Sequence, residues 1–313
     1  MFDKMQVQAE ALDSILIELA KNDKRIVTLS ADMADRIIPK FARVYRDRFF
    51  NYGIAEQGMM GTAAGLALLG FIPFVTTLCC FLSMKTCEQI RTDIAYTNLN
   101  VKIFGMGGGL MYGTLGATHQ GLEDISLMRG ITNLAVMAPA DYVETVHAVY
   151  SAVKHKGPVY IRVGRGNVPT IYPQGNIEEF EIGKAIKLHD GDDVALIATG
   201  VMVAKALMAT EELKKKGIST SVYSMHTIKP LDEEAILEAA STKYGIVTLE
   251  DNMISGGMGE AISAILSNKK PTHIKIIGIP NIYPIIGSPE QLYDYYGMSP
   301  RSIVKSAMGM ISN

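Results

Sequence analysis

The chain has 313 residues, 48% of them hydrophobic and 20% charged, which excludes a disordered or fibrous protein and leaves room for two α/β domains. A net charge of −2 provides no basic field for a nucleic-acid backbone, and no apolar run reaches the ~18 residues of a membrane span. The opening Met-Phe-Asp-Lys-Met-Gln lacks the basic-then-apolar order of a secretory signal, so the expected location is the cytoplasm.

Apolar residues at helical spacing (Val7, Leu12, Ile15, Leu16, Leu19) predict a helix over 6–21, followed by a short buried strand at 25–30 and a loop at 30–33. A short apolar segment at 49–53 precedes a small-residue-rich helix over 55–69 that stops before Gly70. Strands at 72–77, 101–106, 134–137 and 158–163 then alternate with helices at 84–96, 122–129 and 140–155, with a Gly-rich loop at 107–121. This βαβ order predicts a mainly parallel sheet flanked by helices, assigned to a first domain at 1–168. Cys79, Cys80 and Cys87, odd in number and lacking a second ligand pair, predict reduced thiols with neither a disulfide frame nor a zinc site.

Pro, Gly, Asn and acidic residues without periodicity predict an extended linker at 169–188. A second α/β domain at 189–313 follows, with strands at 194–198, 220–224, 245–250 and 274–278 and helices at 202–216, 232–241 and 257–268. Segments at 293–296 and 299–311 close it.

Ligands of open parallel sheets gather outside the carboxyl ends of the strands, where the first-domain loops carry Asp32, Phe81, His119 and Arg165. Glu56 begins a helix of Gly, Ala and Met whose apolar surroundings raise a carboxyl pKa, while the helix N-terminus lowers it. His119 ends the flexible run Gly113-Thr-Leu-Gly-Ala-Thr and offers an imidazole for proton transfer near neutral pH. Arg165, in Arg162-Val-Gly-Arg165-Gly, offers a planar fork for an anion. Taken singly, each has an ordinary reading: a first-turn carboxylate, a surface histidine, an ion-paired arginine. The glycines at 105 and 107–109 lack a Gly-Lys-Ser/Thr or GxGxxG context and predict a permissive turn, not a phosphate cradle.

In chain order the motifs are Ser-Ala-Asp32, Gly-Ile54-Ala-Glu56-Gln, Thr77-x3-Phe81, Glu88-Gln-Ile-Arg-Thr-Asp and Thr-His119-Gln-x2-Glu-Asp, then Pro139-Ala-Asp, Gly-Pro-Val-Tyr-Ile-Arg and Gly-Arg165. Thr227-Ile-Lys-Pro-Leu-Asp232 and Glu250-Asp-Asn-x3-Gly-Gly-x-Gly-Glu260 follow. The string resembles the C-terminal half of transketolases along nearly its whole length. That resemblance implies thiamine diphosphate as cofactor, with a pyrimidine-binding domain followed by a transketolase C-terminal domain. It assigns Glu56 to the hydrogen bond on the pyrimidine ring nitrogen, Phe81 to the stacking aromatic, Ile54 to the loop beside it and Asp32 to the thiazolium side. His119 matches a histidine that contacts substrate hydroxyls and shuttles a proton, and Arg165 matches an arginine that holds the substrate's terminal phosphate. The implied reaction moves a two-carbon ketol unit from a ketose to an aldose.

Two positions depart from the pattern. Leu115 stands where the family has an Asp four residues before the loop histidine, and Gly107 where it has a His twelve before. A sugar with another anionic end, such as a sulfonate, is the expectation, with Arg36 supplying replacement charge. The family's diphosphate and magnesium signature, Gly-Asp-Gly followed by Asn, is absent, and Gly191-Asp-Asp does not replace it. Thiamine diphosphate with Mg2+ is therefore expected to be held jointly with an N-terminal subunit carrying that domain, in an α2β2 assembly. Competing readings are the beta subunit of a 2-oxo acid dehydrogenase, which normally carries a His-Ser-Gln loop, a deoxyxylulose phosphate synthase, normally one long chain, and a noncatalytic subunit of the same fold.

Overall fold

The computed structural model describes Phe2 and residues 4–312; Met1, Asp3 and Asn313, the outermost positions of the two expected domains, lie outside the described residues. A seven-stranded sheet runs Thr227–Lys229, Ala135–Met137, Val159–Val163, Lys102–Met106, Ile72–Leu78, Ile26–Ser30, Phe49–Asn51 across its width. Six of its strands are parallel, and Thr227–Lys229 is antiparallel to Ala135–Met137. The central strands are buried along their whole length because helices cover both faces. Strand alternation sends Ile26, Phe74 and Phe104 to the face where Leu12 and Leu16 of the Gln8–Asn22 helix pack. Val27, Leu29, Val75 and Ile103 point to the other face, against Met59, Met60 and Ala63 of the Glu56–Leu68 helix. Truncating Leu12, fully buried in this core, to Ala costs about 2–5 kcal/mol.

A second sheet, of five strands, runs Ile274–Ile279, Ile246–Met253, Val194–Ala198, Thr220–Ser224, Ile186–His189. One face packs on Val203, Ala206 and Leu213 of the Met202–Lys215 helix and on Ile303 and Ala307 of the Pro300–Ser312 helix. Residues from its other face, Ala195, Ile197 and Ile246, belong to the same apolar cluster as Val27 and Val75, so one core runs across both sheets.

Four local differences from the sequence reading have physical causes. Thr227–Lys229, expected within the second domain, completes the edge of the first sheet. Ile186–His189, which runs across the end of the expected linker at 169–188 into the start of the expected second domain, is an antiparallel edge strand too short and too mixed in polarity to show a period. The expected helix at 84–96 is broken: Cys79–Lys85 ends at Thr86, whose hydroxyl bonds back to the Leu82 carbonyl (2.5 Å), and Ile90–Ala95 is a π-helical turn. The Gly-rich loop holds a 3-10 turn at Leu110–Leu115. Cys79, Cys80 and Cys87 are free thiols. Among the described residues no helix is long and apolar enough to cross a membrane, and no group of three or more His, Cys, Asp or Glu is placed to hold a metal.

Candidate active site

Glu56 is the first residue of the Glu56–Leu68 helix, which packs Met59, Met60 and Ala63 into the core and so fixes where the carboxylate stands. The carboxylate is only 4% exposed. Its partner is Lys85, at the end of the Cys79–Lys85 helix, whose Nζ donates to both carboxylate oxygens at 3.1 Å. Lys85 is itself half-exposed, so the pair lies at the mouth of the site with the ammonium on the solvent side. Beside it opens a cavity of about 570 Å³ lined by Ile54, Glu56, Gln57, Met84 and Lys85 among others. Another cavity, of about 530 Å³ near Arg91, Tyr96 and Asn133, gathers neither carboxylate nor imidazole.

From Lys85 a run of contacts follows the rim. The ammonium lies 4.7 Å from the Phe81 ring centre, one helical turn away on the same helix face. Phe81 meets the His119 ring edge-on at 5.3 Å, and the Tyr112 ring centre is 6.3 Å from that of His119. The Arg165 guanidinium lies 4.4 Å over the Tyr112 ring. His119 Nδ1 is 2.9 Å from the Thr118 hydroxyl, leaving Nε2 for other partners. Tyr112 is buried, its hydroxyl has no hydrogen-bond partner among the described residues, and burial raises its pKa while the charges of Arg165 and Arg36 draw it down.

The Gly-rich run is glycine because neighbours press on its backbone. A Cβ on Gly107, whose φ is +76°, would stand 1.9 Å from the Tyr112 ring, one on Gly108 1.8 Å from the Arg162 guanidinium and one on Gly109 2.0 Å from the Asp251 carboxyl. Behind the loop lies a buried polar cluster. Arg162 pairs with Asp124 at 3.1 Å and donates to the backbone carbonyls of Gly121 (3.2 Å) and Asp251. Tyr160 donates to Asp124 at 2.7 Å. The Asp251 carboxylate, from the second sheet, accepts the Leu110 N–H at 3.0 Å and the Tyr293 hydroxyl at 2.7 Å. Burial pushes the Asp251 pKa up and works against charge on Arg162, yet the Asp124 and Asp251 carboxylates keep that guanidinium firmly protonated. The His119 loop is thus gripped near both ends, at Leu110 and Gly121.

Of the residues singled out in the sequence, Glu56, Phe81, His119 and Arg165 fall on one run of contacts, and Ile54, 78% exposed, borders the Glu56 cavity. Asp32 stands apart from that run: it has a φ of 54°, and its N–H is held by the Asn51 side chain at 3.3 Å. Arg36 is exposed and makes no ion pair among the described residues, acting on Tyr112 through charge alone. Leu115 is 49% exposed. Lys85, Tyr112 and Asp251 were not expected at the site. For Lys85 no signal existed, because the predicted helix began at 84 and left Phe81 outside it; for Tyr112 it was a lone aromatic inside a glycine run.

The family model of the transketolase pyrimidine binding domain matches residues 4–170, and that of the transketolase C-terminal domain matches residues 183–303. The chain is 38% identical to the 6-deoxy-6-sulfo-D-fructose transketolase subunit SqwH of Clostridium sp. (strain MSTE9), covering 94% of this chain and 91% of that one. It is also 38% identical to an apulose-4-phosphate transketolase subunit of Phocaeicola vulgatus, covering 99% of both. Among solved structures it resembles one described as a split gene transketolase, inactive beta4 tetramer, with a TM-score of 0.90, 37% identity and 98% of both chains covered.

Proposed function

The chain belongs to the transketolase family, and on that premise we propose that it is the C-terminal subunit of a split, thiamine-diphosphate-dependent transketolase that moves a two-carbon ketol unit from a ketose to an aldose. The observation that carries this reading is the Glu56 carboxylate, buried yet facing a cavity, one contact removed from Phe81 through Lys85. A carboxylate so placed fits a hydrogen bond to a pyrimidine ring nitrogen, and Phe81 supplies an aromatic ring for the flat heterocycle to pack beside. Thiamine diphosphate, when bound, supplies the carbon nucleophile and the electron sink for breaking and making the carbon–carbon bond. The residues of this chain do the rest: Glu56 shares a proton with the ring, Ile54 and Asp32 border the cofactor, and His119 takes and returns the substrate-hydroxyl proton. Arg165, helped by Arg36, holds the anionic end of the sugar.

The diphosphate and its Mg2+ are assigned to an N-terminal partner chain, in an α2β2 cytoplasmic assembly. Support comes from relatives named as subunits and from a structural neighbour described as an inactive tetramer of beta chains. Relatives named for a sulfo-sugar and for a sugar phosphate support a ketose ending in sulfonate or phosphate, in keeping with Leu115 and Gly107 at the rim. The test is reconstitution: the purified chain alone binds no thiamine diphosphate, and adding a partner that carries the diphosphate domain produces ketol transfer. Equal rates on ketoses ending in phosphate and in sulfonate would remove the significance given to Leu115 and Gly107.

A further inference from the structure

The proposed function needs the Glu56 carboxylate for a ligand, yet in this chain the carboxylate is already taken. The Lys85 ammonium bonds both of its oxygens at 3.1 Å and lies 4.7 Å from the centre of the Phe81 ring. Those are the two groups assigned to the pyrimidine, one for its ring nitrogen and one for its flat face, so a cationic nitrogen of the protein itself touches both. The carboxylate is only 4% exposed, and the cavity of about 570 Å³ beside it is lined by Lys85 as well as by Glu56. A ligand entering that cavity meets the ammonium on its way to the acid. A half-exposed ion pair adds little to stability, whereas a buried carboxylate with no partner at all is costly, so the pair serves to keep Glu56 satisfied while the cavity is empty. The ammonium also has room to leave: the Lys85 side chain is 45% exposed, and a Cβ on Gly58, another residue lining the cavity, would meet nothing within 4 Å.

We propose that Lys85 is a positioning residue that competes for the cofactor site from within: its ammonium holds on Glu56 the seat that the pyrimidine ring nitrogen takes, and it swings out on its flexible stem as the ring enters. The proposal rests on the transketolase reading for the identity of the ligand. No covalent bond changes; one pair of charge-assisted hydrogen bonds is given up for another, and the affinity of the site is lowered by the part of the ion pair that must be broken first. A lysine that acted on a bound cofactor through distant charge, or through the end of its own helix, would act whatever stood at position 56. A competitor acts only through the Glu56 carboxylate, because a neutral amide holds an ammonium far less tightly.

The test is calorimetric titration of thiamine diphosphate, with Mg2+ present, into the full chain reconstituted with its partner chain. Lys85→Met and Lys85→Ala are each compared with wild type, and again in the Glu56→Gln background. With Glu56 in place, both substitutions tighten binding about threefold, which is what a half-exposed ion pair can hold back. In the Glu56→Gln background the same substitutions change affinity by less than about 1.5-fold, so the gain is a coupling between positions 56 and 85. Affinity that is unchanged or weaker in both substituted chains, or a gain of equal size with and without the Glu56 carboxylate, overturns the proposal. If the wild-type complex still transfers ketol units, that result leaves the transketolase reading intact. A wild-type complex that neither binds thiamine diphosphate nor transfers ketol units overturns both.

Discussion

Two glutamates at helix N-termini, one in each sheet's territory, are treated by the fold in opposite ways. Glu250, fully buried, accepts the N–H groups of Met258 (2.7 Å) and Gly259 (2.9 Å), and a Cβ on Gly257 would come within 2.2 Å of it. Both donors are backbone atoms and neither can move away. Glu56, nearly as buried, has for a partner the half-exposed ammonium of Lys85, on a chain of four rotatable carbons. Glu144 follows the first pattern, accepting from Ser224 (2.6 Å), Tyr172 (2.6 Å) and the Ala140 N–H (2.7 Å). Burial alone therefore does not mark a functional carboxylate in this molecule. What separates Glu56 is that its one side-chain partner among the described residues, Lys85, can swing aside without any rearrangement of backbone.

The comparison is broken most decisively at Glu56 itself. Glu56→Gln is expected to lower ketol transfer in the reconstituted enzyme by roughly 10²–10⁴-fold with no loss of thermal stability, and unchanged turnover would place Glu56 with the structural pair. Next in size, Glu250→Ala leaves the Met258 and Gly259 N–H groups without an acceptor and is expected to cost about 2–4 kcal/mol in urea unfolding. A smaller, pH-dependent effect sharpens the same contrast. Burial raises the Glu250 pKa from 4.5 to about 7, so between those values the folded chain keeps a proton that the unfolded chain has released. This contribution to stability is complete below the lower value and is lost as pH rises to the upper one; the advantage of wild type over Glu250→Gln should shrink across that window. A flat difference would contradict the raised pKa. The least change is expected for Lys85→Met, under about 1 kcal/mol in stability, because half-exposed ion pairs are weak. A larger loss would mean that Lys85 is as fixed as the partners of Glu250.

The parallel sheet and the sequence of rim residues are legible in the chain because they rest on local signals: continuous apolar runs for strands, three-to-four-residue periodicity for helices, and loops at strand ends. Glu56, Phe81, His119 and Arg165 each lie just beyond such an element. Lys85 reaches Glu56 across 29 residues and Asp251 reaches Leu110 across 141, so neither pairing has a sequence spacing to announce it. The glycines at 107–109 were legible as unusual but not as crowded, since what crowds them is Tyr112, Arg162 and Asp251 arriving from elsewhere. The strand at Thr227–Lys229 escaped for the same reason: three residues acquire strand geometry only by meeting Ala135–Met137.

That short strand has a consequence for how the protein is made. The first sheet's outer edge at Ala135–Met137 stays bare until Thr227–Lys229 has been synthesised, by which time much of the second sheet's sequence has also left the ribosome. At ordinary elongation rates the interval after Val159–Val163 is on the order of 3–13 s, long enough for an open edge to meet another nascent chain. The two lobes are therefore not interchangeable cassettes: a fragment ending in the segment between them would carry an unfinished sheet, and a graft of the second lobe onto another scaffold would take with it the strand that the first one needs.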